Sequence, residues 1–434
     1  FTIPSGATIT NAGTASGFGR TGTVDWITTP KVTGDSPVTG VTGKGYFLNT
    51  TAGAITINLP AGSAGDIISM ADYAATWQTN NVTVSPNGSD KIGSLNEDAT
   101  LETEGQSVTF VFVDSTQGWI NTMDSTSNVR GAPPFVAATV SGACNTLATA
   151  PCCADTKIAT FLGPGTFCVS AVSGCATKNT VSYMVVAGGG AANPPSNPMG
   201  GGGAGGFREY ESPSTPYTSS PLDGGPTGAG SGTAVILTAS PYAITVGAGG
   251  TPSPTAPGSK GNNSVFDTII STGGGSAGGP NSACGSANPG GSGGGAGGAA
   301  APNTGGSGDT PSVTPAQGTN GGANHAPCAS NTRGGGGGGA TVAGATGAAS
   351  GSGGAGATTS ISATPTIYAG GGGAGSENFS AGAGGPGGGG TGGQYSSCNS
   401  TNGTINTGGG AGGSYGAAGK NGGSGIVIIR YKFQ

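Results

Sequence analysis

The glycines of this chain are concentrated, not spread: of 96 in total, 75 lie between residues 188 and 425. Two apolar segments rich in β-branched residues bracket that stretch, Ser182-Tyr-Met-Val-Val-Ala187 and Gly425-Ile-Val-Ile-Ile-Arg-Tyr-Lys-Phe433. A flexible Gly/Ser linker has no use for a β clamp at either end. The runs therefore read as a folded glycine domain. Disorder is the competing reading for a stretch with so little apolar surface, and it is avoided only if backbone hydrogen bonds replace side-chain burial. Interruptions such as Tyr242-Ala-Ile-Thr-Val246 and Ser264-Val-Phe-Asp-Thr-Ile-Ile270 count against disorder.

Lacking a Cβ, a glycine run can adopt the extended polyproline-II form, with about three residues per turn, about 3.1 Å rise and no internal hydrogen bonds. Its N–H and C=O groups point outward, so one such helix alone gains nothing. A bundle lets each backbone bond to its neighbours, and only glycine lets the axes come that close. Runs such as 200–206, 334–339 and 382–393 would span a few turns each. Collagen packs the same helix but needs glycine at every third position, and the unbroken run 334–339 ignores that period.

The first part of the chain is of more ordinary composition. Short runs with period-2 alternation, among them Ala54-Ile-Thr-Ile-Asn-Leu59, Asn81-Val-Thr-Val-Ser85 and Ser107-Val-Thr-Phe-Val-Phe-Val113, recur between turn signals such as Pro86-Asn-Gly-Ser89. This pattern predicts a small antiparallel sandwich or barrel. The expected fold class is all-β plus polyproline-II. A short β stalk spans 1–36, a β sandwich 37–132 and a Cys-bearing β connector 133–180; the glycine domain spans 181–434 and is closed by the strand 425–433. Almost no helix is expected. The chain opens at Phe1 and reads as the remainder of something longer.

With 7% charged residues and a net charge of −5, the chain has no basic stripe for nucleic acid. No apolar run approaches the length that crosses a bilayer, so a soluble protein without membrane insertion is expected. The eight cysteines, Cys144, Cys152, Cys153, Cys168, Cys175, Cys284, Cys328 and Cys398, suggest disulfides formed outside a reducing cytoplasm, with the pairing left open. Zinc fits poorly, since no Cys-x-x-Cys is present and the one histidine, His325, is remote in sequence. No metal and no cofactor are expected. Glu209 and Glu211 could share one strand face as a glycosidase pair would, but they sit beside a Pro-rich loop, and no convincing acid/base pair emerges. The chain is not expected to be an enzyme.

Several motifs carry a resemblance. Thr166-Phe-Cys-Val169, Val185-Val-Ala-Gly-Gly-Gly190, Gly200-Gly-Gly-Gly-Ala-Gly-Gly-Phe-Arg208, Ile244-Thr-Val-Gly-Ala-Gly-Gly250 and Gly423-Ser-Gly-Ile-Val-Ile-Ile-Arg-Tyr431, in that order, resemble the glycine-rich domain of tailed-bacteriophage tail fibres and adhesins over about 155–434. The likeness is greatest to fibres of marine and cyanobacterial phages. The segment with Gly43-Lys-Gly-Tyr-Phe47 and Gly118-Trp119 is similar to a β module recurrent in phage structural proteins. The cysteine load and the Pro-rich insertions depart from that pattern.

The resemblance implies an extracellular virion fibre protein, a homotrimer joined through its β modules or else a monomeric tip, whose inter-helix loops bind a bacterial host surface receptor, glycan or protein, while other virion tail or fibre proteins hold it. The residues between glycine runs would then make the contact: Tyr217, Asn324, His325, Arg333, Phe379, Tyr395, Asn399 and Asn402. Aromatics beside amides suit sugar rings and apolar patches, although the same side chains could simply cover the bundle ends. A non-adhesive structural filament or capsid appendage is the alternative function, and a polysaccharide depolymerase the third.

Overall fold

The structure is a computed structural model and describes residues 24–125, 135–151, 153–193, 199–228, 230–253, 258–279, 286–298, 302–325, 332–395, 399–416 and 418–434. The chain divides into two compact units, 1–131 and 132–434. Both are built almost entirely of β-strands and extended chain, with only two short 3-10 turns among the described residues.

In the first unit the strands β1 (Asp25–Val32), β2 (Val38–Thr39), β3 (Lys44–Asn49), β4 (Ile55–Asn58), β5 (Ile67–Asp72) and β6 (Val82–Ser85) alternate between two sheets. They are followed by β7 (Ala99–Leu101), β8 (Ser107–Phe112) and β9 (Trp119–Ser125). One sheet has the order β1-β3-β5-β8-β9 and the other β2-β4-β6-β7. The antiparallel expectation is corrected here: β1/β3, β3/β5, β2/β4 and β4/β6 are parallel pairs, and the chain reverses only at β5/β8, β8/β9 and β6/β7. Each early connection crosses to the other sheet, so the chain re-enters its own sheet one turn later in the same direction. Period-2 alternation reports which face is buried and is silent on strand direction.

Both sheets feed one apolar cluster. Leu48, Ile68, Met70 and Phe110 come from the first sheet, and Ile55, Ile57, Val82 and Val84 from the second. Trp77 and Trp119 are fully buried among them. Each such side chain contributes about 1.5–3 kcal/mol by leaving water. Of the expected stalk, residues 24–36 are described, and β1 pairs within the first sheet; residues 1–23 lie outside the described residues.

The second unit contains β10 (Ala137–Val140), β11 (Thr146–Ala150), β12 (Cys153–Phe161), β13 (Gly165–Ala171), β14 (Thr180–Val186), β15 (Phe207–Tyr210), β16 (Val235–Ile236), β17 (Pro241–Thr245), β18 (Ser264–Phe266), β19 (Ile269–Ser271), β20 (Ala357–Thr359), β21 (Thr366–Tyr368) and β22 (Ile426–Lys432). The two segments that bracket the glycine runs are neighbours: β14 and β22 pair antiparallel with Val185 opposite Val427. They form the centre of the sheet β11-β12-β22-β14-β15. The Cys-bearing stretch is part of this architecture, because β12 lies along β22 and β10 and β13 belong to the facing sheet β10-β13-β17-β18-β19.

Alternation along β14 and β22 divides their side chains between two cores. Val181, Tyr183, Val185, Val427, Ile429 and Tyr431 pack with Phe167, Ile244 and Phe266 of the facing sheet. Met184, Val186, Ile426 and Ile428 pack with Ala340, Ile361, Tyr368 and Ala369 on the other side. Burial on both faces explains the unbroken apolar runs 183–186 and 426–429; the facing pair Ser182 and Arg430 is the buried polar exception.

Between these strands the glycine runs are extended without being strands, and their backbone hydrogen bonds go sideways to other runs. The donors rotate with a period of three. Ala187 and Gly190 donate to Gly206 and Gly203; Gly188 and Ala191 donate to Asn262 and Ser259; Gly189 and Ala192 donate to Gly423 and Lys420, all at 2.8–3.2 Å. The same rotation recurs in 199–206, which bonds in turn to the runs around Ala411, Gly335 and Gly275, and in 334–340, which bonds to those around Gly372, Gly293 and Ala345.

A Cβ added to Gly337 would meet the Gly202 carbonyl oxygen, and one added to Gly336 the Ser352 carbonyl oxygen, both far inside the 3.0 Å that real Cβ atoms keep. Neither residue lies in the left-handed φ region. Close approach of neighbouring backbones is therefore what these positions require of glycine. Where runs leave room for a methyl, alanine appears: Ala192, Ala277 and Ala411 form a small buried cluster.

The disulfide expectation is also corrected in part. Among the described residues no disulfide is formed: Cys144, Cys168 and Cys175 are exposed thiols, and Cys153 lies half-buried beside Arg430. Cys168 sits on β13 between Phe167 and Val169, which both point into the core, so strand alternation turns its thiol outward. Cys152, Cys284, Cys328 and Cys398 lie outside the described residues.

Candidate functional site

Lateral bonding puts the ends of several glycine runs at one level. Gly334 donates to Gly375, and Gly375 to Met199; isolated β-bridges join His325 to Arg333, Arg333 to Ser376 and Ser376 to Gln394. This end of the runs is the one away from β14 and β22, since 187 follows directly on β14 while 192 and 199 lie at the other extremity. Residues distant in sequence therefore converge there.

Three of the expected contact residues form one group. The Arg333 guanidinium lies over the Phe379 ring at 4.9 Å, and the His325 ring meets Phe379 edge-on at 5.8 Å. Tyr395 is 62% exposed and packs on Tyr415, with ring centroids 4.8 Å apart. Tyr415 escaped the sequence reading because it stands alone inside a glycine run, Gly413-Ser-Tyr-Gly416. An aromatic breaking a run beside a turn was the available signal. Burial, followed by Glu377 and Tyr395, pushes the Tyr415 phenol above its ordinary pKa.

Part of the group serves the bundle itself. Arg333 is buried and donates from Nε to the Gly347 carbonyl at 2.6 Å and from Nη2 to the Ala349 carbonyl at 3.1 Å. Burial draws its pKa down. The Asn324 side-chain oxygen accepts from the Asn303 N–H at 2.8 Å. Asn399 and Asn402 are exposed, and Asn402 accepts from the Asn421 N–H at 3.0 Å along the flank of its run.

Tyr217 belongs elsewhere, beside β15. Its hydroxyl donates to Glu209 Oε1 at 3.1 Å, its N–H donates to Glu211 Oε1 at 3.0 Å, and the Arg430 guanidinium lies 5.4 Å from its ring centroid. Glu209, Glu211 and Asp223 are all buried. Ser219 and Thr227 hydroxyls bond Glu211 Oε2 at 2.9 and 2.7 Å, the Ser220 N–H and the Thr359 hydroxyl bond Glu209, and the N–H groups of Glu211 and Gly225 bond Asp223.

Burial raises the Glu209 pKa against these hydrogen bonds. It raises Tyr217 well above the usual phenol value, with the Glu209 charge adding to the effect. The carboxylates thus tie β15, the loop after it and β20 together. Among the described residues no group of three or more His, Cys, Asp or Glu side chains could hold a metal ion, and no helix is long and apolar enough to cross a membrane.

The strands and the converging run ends define a class: a β-rich protein whose glycine segments, inserted between two paired strands, bond laterally through their backbones. Residues 162–432, more than half of the chain, match the family model described as the glycine-rich domain, and the protein belongs to that family. No curated protein matches the chain.

Proposed function

We propose that the glycine runs form a polyproline-II bundle and that the chain is a virion fibre protein that attaches to a bacterial host surface through the end of that bundle. The threefold rotation of backbone donors supports the first part, because the polyproline-II helix has about three residues per turn and offers its N–H groups outward in three directions. The observation that carries the second part is the convergence of His325, Phe379, Tyr395 and Tyr415 at one end of the runs. An exposed Tyr395 with half-buried His325, Phe379 and Tyr415 around it suits a sugar or an apolar protein patch, since little conformational freedom is lost on contact. The partners on this reading are a surface glycan or outer-membrane protein, neighbouring virion proteins and two further copies in a trimer, and the location is the extracellular virion.

A second reading, a structural filament, draws on Arg333 and Asn324, which direct their polar groups into the bundle and not outward. Binding of labelled protein to intact candidate host cells separates the two. Excising 394–406 would remove run bonds such as Thr401 N–H to the Thr391 carbonyl, so point variants are the cleaner test. Tyr395→Ala with Phe379→Ala is expected to abolish saturable binding while melting is retained. Folded protein that binds no host in a broad panel favours the filament.

A further inference from the structure

A second concave site lies beside the strands, at the edge where β14 begins and away from the glycine runs. It is an open depression of about 470 Å³, within the range of small-molecule sites, roughly 300–1,000 Å³. Sheet order builds it. β15 and β22 flank β14, and both line the site: Tyr210, the last residue of β15, from its place opposite Tyr183, and Lys432, the last of β22, two residues beyond Arg430, which pairs with Ser182. The 3-10 turn Ala176–Asn179 adds Thr177 and Lys178, and the loop after β15 adds Ser214.

The charges and hydroxyls at this site are only partly satisfied. The Lys178 ammonium stands over the Phe135 ring at 4.5 Å and has no carboxylate partner among the described residues. Lys432 is held by Asp155 at 2.8 Å. Lys178 is thus the ammonium of this site without an ion pair among the described residues, while burial and then the Asp223 charge raise the Tyr210 phenol above its ordinary pKa. The Tyr210 ring stacks on Tyr183 and only 7% of the residue is exposed, yet its hydroxyl, on the pocket wall, bonds no group of the described residues. The Ser214 hydroxyl donates to the Thr180 carbonyl and shares a 2.9 Å hydrogen bond with the Ser212 hydroxyl, and the Thr177 hydroxyl meets the Cys175 sulfur at 3.2 Å. A buried ring whose hydroxyl opens onto the depression, next to an ammonium without a carboxylate partner, offers a polar ligand a donor and a positive charge side by side.

We propose that this pocket binds an acidic sugar, with the carboxylate at the Lys178 and Lys432 ammoniums and the ring hydroxyls at Tyr210, Thr177 and Ser214. The volume exceeds what a bare inorganic anion fills. The lining offers single hydroxyls in place of the planar guanidinium fork that favours phosphate. The site is separate from the converging run ends and does not depend on host attachment.

The test is calorimetric titration of the full chain with a uronic-acid trisaccharide, its neutral counterpart of the same linkage, and inorganic sulfate. Saturable binding of the acidic sugar alone is expected, weakening as salt is raised. Lys178→Gln should weaken it at least about tenfold, the order lost with one charged hydrogen bond. Tyr210→Phe keeps the stacked ring and should weaken it several-fold at unchanged melting, so the test survives if the lysine variant disturbs its turn. Failure of the folded parent to bind the acidic sugar, equal binding of the neutral sugar or of sulfate, or full binding by a folded Tyr210→Phe variant would each overturn the proposal.

Discussion

The first unit and the glycine runs of the second reach stable packing by opposite routes. In the first, nearly every stabilising contact is a side chain: Leu48, Ile57, Val84 and Trp77 are sealed between two sheets, and the backbone bonds form ladders. In the runs there are almost no side chains to bury, and the backbone itself is the packing surface, bonded to three neighbours in rotation. The comparison teaches that a core is a matter of excluding water from satisfied groups. Apolar side chains achieve it in one region, and close backbone approach achieves it in the other.

The sharpest way to break that comparison is to add a side chain where none fits. Gly336→Val should unfold the glycine unit, a loss above about 4 kcal/mol, because the added carbon meets backbone that cannot move aside. Gly34→Ala in the first unit has nothing within 4 Å and should change stability by less than about 0.5 kcal/mol. All three tryptophans, Trp26, Trp77 and Trp119, lie in the first unit, so their emission reports it alone. Amide exchange of the runs reports the other. Unchanged glycine amide protection in Gly336→Val would refute the bundle.

Removing side chains should give the reverse ranking. Leu48→Ala is expected to lower the tryptophan-reported transition by about 2–5 kcal/mol, the usual loss for a sealed leucine. Ala411→Gly, which deletes one methyl from the runs, should lose only about 1 kcal/mol. Arg333→Gln falls between them, at about 1.5–3 kcal/mol, since the Gly347 and Ala349 carbonyls lose a charged donor. Its effect should be confined to the glycine unit.

Acidity refines the comparison with smaller effects. Glu209 has its pKa raised from 4.5 by burial, so the folded chain holds that proton more tightly than the unfolded one. Its contribution to the second unit is full below about 4.5 and falls as pH rises through the raised value. Asp155 runs the other way: its hydrogen bond with Lys432 lowers its pKa from 3.8, and that contribution is lost only as pH falls below the unfolded value. Glu209→Gln should flatten the decline in melting of the second unit as pH rises above 4.5, and an unaltered slope would locate the buried proton elsewhere. Smallest of all, Asp25→Asn should leave the tryptophan-reported melting unchanged, as its partner Lys44 and Asp25 itself are exposed.

Much of the frame was legible. The clamp of 182–187 and 425–433 is the pair β14 and β22, readable because both faces of a central strand must be apolar. Parallel direction in the first unit was not legible, since alternation carries no sign of direction. Nor was the inward role of Tyr217 and Arg333: each lies between glycine runs and looks like a loop residue, and only distant partners, Arg430 for one and Gly347 for the other, make it internal. Tyr415 was missed because one aromatic inside a run has no periodicity to betray it.

By itself, the order of residues determined that glycine had to be used for closeness and that two β-branched strands had to enclose the runs, because composition limits what any neighbour can approach. Which run lies beside which, and therefore which aromatics meet at their ends, was decided by tertiary structure alone. A glycine carries no side chain to select a partner, so the choice passes to backbone bonds that exist only when the whole set of runs has assembled.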